Sequence, residues 1–99
     1  MVNVLELNRA VPGGRVEMFA VPDESYPGDW FYRFQYYHPE TGEILRYDNA
    51  HDDETLGWHH RHTTFGEDSE IEFQAITAHV ARFLQDVDQL SKITETTHD

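Results

Sequence analysis

The strongest strand signal in the sequence is the stretch WFYRFQYY, from Trp30 to Tyr37. Successive side chains of an extended strand point to opposite faces of a sheet. One face of this stretch is therefore aromatic, and it carries Trp30, Tyr32, Phe34 and Tyr36. Arg33 and Gln35 lie on the other face. Aromatic residues favour strands, so we predict a strand here, central in its sheet.

Weaker alternating runs on both sides predict further strands. Residues 2–11 and 15–21 flank Pro12-Gly13-Gly14, which is a hairpin signal. The sequence HPETG at 38–42 has a proline that presets the backbone and a glycine available for positive φ, and it predicts a tight turn. A fourth strand is expected over residues 43–50 and a fifth over residues 59–64.

The apolar period changes to that of a helix between residues 74 and 90. The stripe consists of Ile76, Val80, Phe83, Leu84, Val87 and Leu90. The start of the helix has two interpretations, because Ser69-Glu70-Ile71-Glu72 fits a capping box, whereas Ile71 and Phe73 alternate as at the end of a strand. His79, next to Val80, is interpreted as a border or solvated residue.

These elements predict an α+β fold, with a four- to five-stranded, mainly antiparallel sheet and one C-terminal amphipathic helix packed on one face. We expect a single domain over residues 1–92 and a polar, frayed tail over 93–99. Aromatic residues make up 13% of the chain. This surplus leads us to expect a dimer contact or a bound partner on the second face of the sheet.

Composition narrows the class of protein. Nineteen acidic residues against seven Lys and Arg give the 99-residue chain a net charge of −12. Such a balance, with six arginines and one lysine, is typical of proteins adapted to concentrated salt, such as those of a halophilic archaeon, or of an acidic protein with a basic partner. It also disfavours nucleic-acid binding at low salt. Without cysteine, only His, Asp and Glu remain as strong metal ligands.

No apolar run is long enough to span a membrane, and the N-terminus does not resemble a secretory signal. We therefore expect a cytoplasmic protein without membrane contact.

Residues 46–62 concentrate the side chains that carry chemistry. The window reads RYDNAH at 46–51 and WHHRH at 58–62, separated by an acidic loop. With a period of two, His60 and His62 share one face of a strand, and His59 and Arg61 share the other. If the fourth and fifth strands are neighbours, one face of the sheet gathers Arg46, Asp48, His60 and His62.

Three uses fit this set. Imidazole, with an ordinary pKa of about 6.5, suits proton transfer in RNA cleavage while a guanidinium holds the phosphate, and this needs no metal. A metal site is the second use, with His60 and His62 as ligands and Asp48, His51 or His59 completing the set. The third is structural packing on the aromatic strand.

The order of these motifs resembles the TumE-type toxin family of toxin–antitoxin modules. The resemblance lies in Arg46-Tyr47-Asp48-Asn49, in His60-Arg61-His62, in Glu72-Phe73 and in the helix ending FLQDV at 83–87. It implies a growth-inhibiting toxin that is neutralised by direct binding of a helix-turn-helix antitoxin, with RNA as the expected target.

Our leading hypothesis is thus a ribonuclease-like toxin that uses no metal and no cofactor. His60 and His62 share acid and base roles, Arg46 or Arg61 holds phosphate, and Asp48 orients a histidine. The surrounding residues expected to bind are Arg33, Tyr47, Asn49, His51, Trp58 and His59. The alternatives are a non-catalytic interaction module, dimeric or partner-bound through the aromatic sheet face, and a His/Asp metal-binding protein.

Overall fold

The computed structural model describes residues 4–26, 28–49, 58–64, 66 and 68–96. It contains six strands and one helix, which are β1 (Leu5–Val11), β2 (Gly14–Pro22), β3 (Trp30–His38), β4 (Gly42–Asp48), β5 (His60–Thr63), β6 (Ser69–Glu70) and α1 (Ile76–Thr96). The strands form one sheet in chain order, and every neighbouring pair is antiparallel. The predicted α+β fold is confirmed, with one strand more than the upper limit expected.

The aromatic strand β3 lies inside the sheet, paired with β2 and β4. Its alternation is the predicted one, because Tyr32, Phe34 and Tyr36 are buried and Arg33 is exposed. The turn that follows places Gly42 at a φ of 97°, a conformation that residues with a Cβ rarely adopt. The sequence thus positions β4 beside β3 through one tight connection.

Helix α1 covers the face of the sheet that carries the buried aromatic rings. Phe83 is fully buried, and its ring centroid lies 5.5 Å from that of Phe34 and 5.0 Å from that of Tyr47. Val87 and Leu90 continue the buried stripe. The helix begins two residues later than predicted and extends through Thr96, six residues beyond the predicted end. Residues 93–96 of the expected tail are therefore helical.

The segment before the helix completes the sheet. Ser69 and Glu70 form β6, where they pair with Arg61 and His60. The next residue, Ile71, is buried and donates its backbone N–H to the carbonyl of His59 at 3.0 Å. The capping-box interpretation of these residues is wrong, because their backbone extends the sheet and α1 begins only at Ile76.

His79 is buried, with 2% exposure, so its interpretation as a border or solvated residue is wrong. It lies three residues after Ile76 and four before Phe83, which places it on the same face of the helix as both. Its ring centroid is 4.6 Å from that of Tyr32 and 5.3 Å from that of Tyr47. Helical position, and not residue type, decided its burial.

We call the sheet face opposite α1 the open face. Among the residues that the structure describes, five aromatic rings are buried in the core: Tyr32, Phe34, Tyr36, Tyr47 and Phe83. The core therefore absorbs much of the aromatic surplus that suggested a partner. On the open face, Phe19 is 37% exposed and contacts Phe31 at 6.3 Å between ring centroids. Within the described part of the chain, no helix is both long and apolar enough to cross a membrane.

Candidate functional site on the open face

The pairing of β4 with β5 builds the site. Arg46 lies opposite His62, and Asp48 lies opposite His60. Because alternate residues of a strand share a face, these four side chains meet on the open face, as the sequence predicted. We call Arg46, Asp48, His60 and His62 the open-face site. Strand β3 adds Arg33, which lies opposite Asp48 in the register.

The carboxylate of Asp48 is the centre of the open-face site. Its Oδ2 accepts a hydrogen bond from Nε of Arg46 at 2.6 Å and lies 3.7 Å from Nε2 of His62. Its Oδ1 lies 3.8 Å from Nδ1 of His60. Asp48, His60 and His62 offer one ligand atom each within 4.8 Å of one another, so these three residues have the spacing to hold a metal ion.

Exposure separates the two histidines of the site. The side chain of His60 is 2% exposed and that of Asp48 is 8% exposed, whereas that of His62 is 20% exposed. His62 is held from outside by Asp68, whose carboxylate lies 2.8 Å from Nδ1 of the ring. A carboxylate at one ring nitrogen fixes the orientation of the imidazole and leaves the other nitrogen for chemistry. Of the two imidazoles, His62 is thus the more accessible.

Further charged groups surround the guanidinium of Arg46. Nη1 lies 3.1 Å from Glu43, and Glu43 also accepts a hydrogen bond from the amide of Gln35 at 2.8 Å. Arg46 is therefore held between two carboxylates, those of Glu43 and Asp48. Its contacts use Nε and Nη1, and a guanidinium has five N–H donors in all.

Arg61 is not brought to the open-face site. It lies on the other face of β5, where it pairs with Asp86 of α1 through Nε at 2.8 Å and Nη2 at 3.0 Å. The hydroxyl of Tyr47 donates to the same carboxylate at 2.7 Å. We call Tyr47, Arg61 and Asp86 the helix-side cluster. Its contacts join α1 to β4 and β5.

The pKa values of the helix-side cluster follow from these contacts. Burial alone would raise the pKa of Asp86, but the hydrogen bonds from Arg61 and Tyr47 outweigh it and lower the pKa. The pKa of Arg61 is raised, chiefly by its hydrogen bond to Asp86. Burial, followed by the contact with Asp86, raises the pKa of Tyr47. All three groups thus keep their usual charge states at neutral pH.

His59 and His79 lie in an aromatic cluster on the helix side. Nδ1 of His59 is 2.9 Å from the hydroxyl of Tyr32, and its ring stacks on Phe73 at 4.8 Å. Burial and the neighbouring His60 lower the pKa of His59. Burial, with smaller contributions from His59 and Arg82, lowers the pKa of His79 to about 4. Both imidazoles are therefore neutral at pH 7.

Of the remaining predicted residues, the structure describes Asn49 and Trp58, which have other contacts. Asn49 is fully buried, and its amide accepts from the backbone N–H of Tyr32 at 3.0 Å and donates to the carbonyl of Trp30 at 2.7 Å. It thereby continues the contact between β3 and the end of β4. Trp58 contacts Tyr26 at 6.0 Å between ring centroids. His51 and the acidic loop lie outside the described residues.

Sequence reasoning missed three carboxylates that hold predicted side chains. Glu43 and Asp68 hold Arg46 and His62, and Asp86 holds Arg61. Asp86 follows Phe83 by three residues, so its position beside the apolar stripe was a usable signal. Asp68 lies directly before β6, outside any regular element, where alternation gives no signal.

The fold and the site define a small α+β protein with an Arg/Asp/His cluster on the face of an antiparallel sheet opposite the helix. The family model described as Toxin TumE matches residues 6–91, which is most of the chain, and the protein belongs to this toxin family. Membership supports a role as the toxin component of a toxin–antitoxin module, and such a toxin has an antitoxin partner. No curated protein and no solved structure was found to match the chain.

Proposed function

We propose that the protein is a toxin that acts on RNA through the open-face site, by acid–base chemistry that needs no metal. The observation that carries this proposal is the register of β4 and β5, which opposes Arg46 to His62 and Asp48 to His60. The register gathers a cation, a carboxylate and two imidazoles on the face that the helix leaves uncovered. Family membership supports the toxin role.

His62 is the proton-transfer group in this proposal, because it is the more accessible imidazole of the site. It takes the proton of a ribose 2′-hydroxyl while the 2′-oxygen attacks the adjacent phosphorus. It then returns that proton to the departing 5′-oxygen as the bond from phosphorus to that oxygen breaks. The products are a cyclic 2′,3′-phosphate and a 5′-hydroxyl, so no co-reactant is required.

Asp48 and His60 act as positioning residues. Asp48 lies between Arg46 and the two histidines, and its negative charge favours the imidazolium that forms during transfer. The buried His60 keeps the carboxylate in place. The charge that develops on the phosphate is held by Arg46 and, from β3, by the exposed Arg33.

Salt concentration is part of the proposal, because the net charge of −12 repels RNA at low ionic strength. At 1 M salt the Debye length is roughly 3 Å, which screens this repulsion while close contacts at the site persist. A halophilic source is thus consistent with RNA as the substrate.

The test is cleavage of total RNA by the tag-free protein at low and molar KCl, with and without a chelator. We expect cleavage that survives the chelator, with a loss of 100-fold or more in His60→Ala/His62→Ala. His38→Ala is the matched control, because His38 is the last residue of β3, where its ring nitrogen accepts from the N–H of Glu40 at 3.1 Å. Cleavage that the chelator abolishes, or that the double variant retains, contradicts the proposal.

A second candidate function is partner binding by the open face without catalysis. The observation that favours it is the exposed ring of Phe19 in contact with Phe31, since an exposed aromatic pair is typical of interface anchors. The partner would be the antitoxin, of the helix-turn-helix type, or a second copy of the chain. Here Phe19→Ser weakens antitoxin binding or dimerisation at least tenfold in calorimetry or sedimentation, and RNA cleavage is absent from the wild type.

A further inference from the structure

We propose that Asp48, His60 and His62 bind one divalent transition-metal ion. Among the residues that the structure describes, they are the one group of His, Asp or Glu side chains whose ligand atoms all lie within 4.8 Å of one another. Metal binding is a property of the site that goes beyond the proposed cleavage of RNA.

The distances match a site that closes slightly on its ion. Ligand atoms about 2.0–2.2 Å from a tetrahedral Zn²⁺ lie roughly 3.4 Å from each other. With one atom from each residue, the three ligand atoms lie within 4.8 Å of one another. The distances of 3.7 Å from His62 Nε2 to Oδ2 and of 3.8 Å from His60 Nδ1 to Oδ1 run to different oxygens of Asp48, and each is within about 0.5 Å of the tetrahedral spacing. They are also too long for good hydrogen bonds. The spacing of the three ligand atoms is therefore slightly wider than that of an occupied site.

The ligands are preorganised. All three come from the paired strands β4 and β5, so the backbone sets their relative positions. His62 has the outer partner that metal-binding histidines usually have, because the carboxylate of Asp68 lies 2.8 Å from its Nδ1. This contact aims Nε2 of His62 at Asp48. Burial of Asp48 and His60 limits competition from water.

Ligand chemistry selects the kind of ion. Two imidazoles and one carboxylate suit borderline ions such as Zn²⁺, Co²⁺ and Ni²⁺ better than Mg²⁺ or Ca²⁺, which prefer oxygen ligands. Three protein ligands leave a fourth position for water.

The positive charge of Arg46 is expected to weaken metal binding at this site. Its Nε lies 2.6 Å from Oδ2 of Asp48, so a positive charge already sits beside one ligand. Removing this charge lowers the repulsion of the metal, so Arg46→Gln is expected to bind metal more tightly than the wild type.

Metal binding and the proposed cleavage use the same atom, Nε2 of His62. If the proposed function holds, a bound ion occupies the lone pair that takes the proton, and stoichiometric Zn²⁺ inhibits cleavage. This relation rests on the proposed function, whereas metal binding is measured without RNA. Failure of one is therefore distinguishable from failure of the other.

The experiment titrates tag-free protein with Co²⁺, read by visible ligand-field absorption, and with Zn²⁺, read by calorimetry. We expect one ion per chain, no saturable binding at this site in His60→Ala/His62→Ala, and unchanged affinity in His38→Ala. Because His60 is buried and its variant risks misfolding, Asp68→Ala is the second test. The side chain of Asp68 is 52% exposed, and losing such an outer partner costs 10- to 100-fold in metal affinity.

Either of two results would overturn the metal site: no saturable binding by the wild type, or an affinity unchanged in both His62→Ala and Asp68→Ala. Tighter binding by Arg46→Gln would support it. Activation of RNA cleavage by Zn²⁺ would also support it, and would contradict the metal-free chemistry proposed above.

Discussion

Two carboxylates on opposite faces of the same strand pair make the most instructive comparison in the molecule. Asp86 in the helix-side cluster accepts hydrogen bonds at 2.7, 2.8 and 3.0 Å. Asp48 in the open-face site accepts a hydrogen bond from Arg46 at 2.6 Å, and two imidazole nitrogens lie at 3.7 and 3.8 Å from its carboxylate. Neighbouring residues of β5, Arg61 and His62, belong to the two different sites.

The two carboxylates differ in the distances to the side-chain atoms around them. Tyr47 and Arg61 satisfy Asp86 in a fixed geometry that joins a helix to a sheet, which is what a structural contact requires. The nitrogens of His62 and His60 lie 3.7 and 3.8 Å from the carboxylate of Asp48, beyond hydrogen-bond distance. The helix-side cluster is thus a structural contact, and the open-face site is where we propose that the chemistry takes place.

The largest expected effect comes from exchanging each carboxylate for an amide. Asp48→Asn removes the charge that favours an imidazolium at His62, and we expect RNA cleavage to fall 100-fold or more. Asp86→Asn on the other face keeps the cleavage rate per folded molecule within about threefold. Single-turnover cleavage rates, with circular dichroism as the control for folding, measure both. Equal losses of the cleavage rate in Asp48→Asn and Asp86→Asn would contradict different roles for the two carboxylates.

The pH dependence of the free energy of unfolding tests the role of His79, the buried histidine on the helix side. An unfolded chain protonates His79 below pH about 6.5, whereas the folded chain does so only near pH 4. The unfolded state thus binds more protons in between, and stability is lost as the pH falls through this window. At pH 4.5 the loss is about 2 to 3 kcal/mol. His59, whose pKa is also lowered, adds to it.

The variant that isolates His79 is His79→Leu, which is apolar and cannot be protonated. We expect it to lose less stability than the wild type between pH 7 and pH 4.5, as measured by urea unfolding. The same pH dependence in both proteins would show that His79 is not the cause.

Arg61→Ala tests the structural role of the helix-side cluster. It leaves the partly buried Asp86 without its cation, which is expected to cost about 2 kcal/mol of folding free energy. Since the pKa of Asp86 is lowered in the folded state, its contribution is present above the unfolded pKa and disappears as the pH falls through the folded pKa. Urea unfolding at pH 7 should show the cost, while cleavage per folded molecule is unchanged. A stable but inactive variant would contradict the assignment.

The smallest expected effect concerns salt. Molar KCl screens the mutual repulsion of a chain with a charge of −12, so we expect stability to rise by about 1 kcal/mol, or roughly 4–8 °C in Tm. Matched ionic strength from NaCl is the control for ion identity. A fall in Tm with KCl would argue against adaptation to concentrated salt.

Most of the fold could be predicted from the alternation of apolar residues in the strands and from their helical period in α1. The aromatic face of β3 and the stripe of α1 were predictable because burial follows position along a regular element. Strand β6 was missed as a strand because two residues contain no period. His79 was misjudged because its polar type was weighted above its place between Ile76 and Phe83 on the helix.

The candidate site, too, could be predicted from the sequence only in part. Alternation placed His60 and His62 on the face opposite Arg61, and the pairing of β4 with β5 confirmed that arrangement. The fate of Arg61 depended on Asp86, which lies 25 residues away in the chain. Local patterns thus predict which face a side chain takes, whereas its partner depends on tertiary packing.

Growth inhibition tests most directly the proposal that His62, and not its neighbour Arg61, takes part in the chemistry of the toxin. His62→Ala and Arg61→Ala are compared at equal levels of folded protein. We predict that His62→Ala is no longer toxic and that Arg61→Ala inhibits growth like the wild type. Full toxicity of His62→Ala would contradict the account.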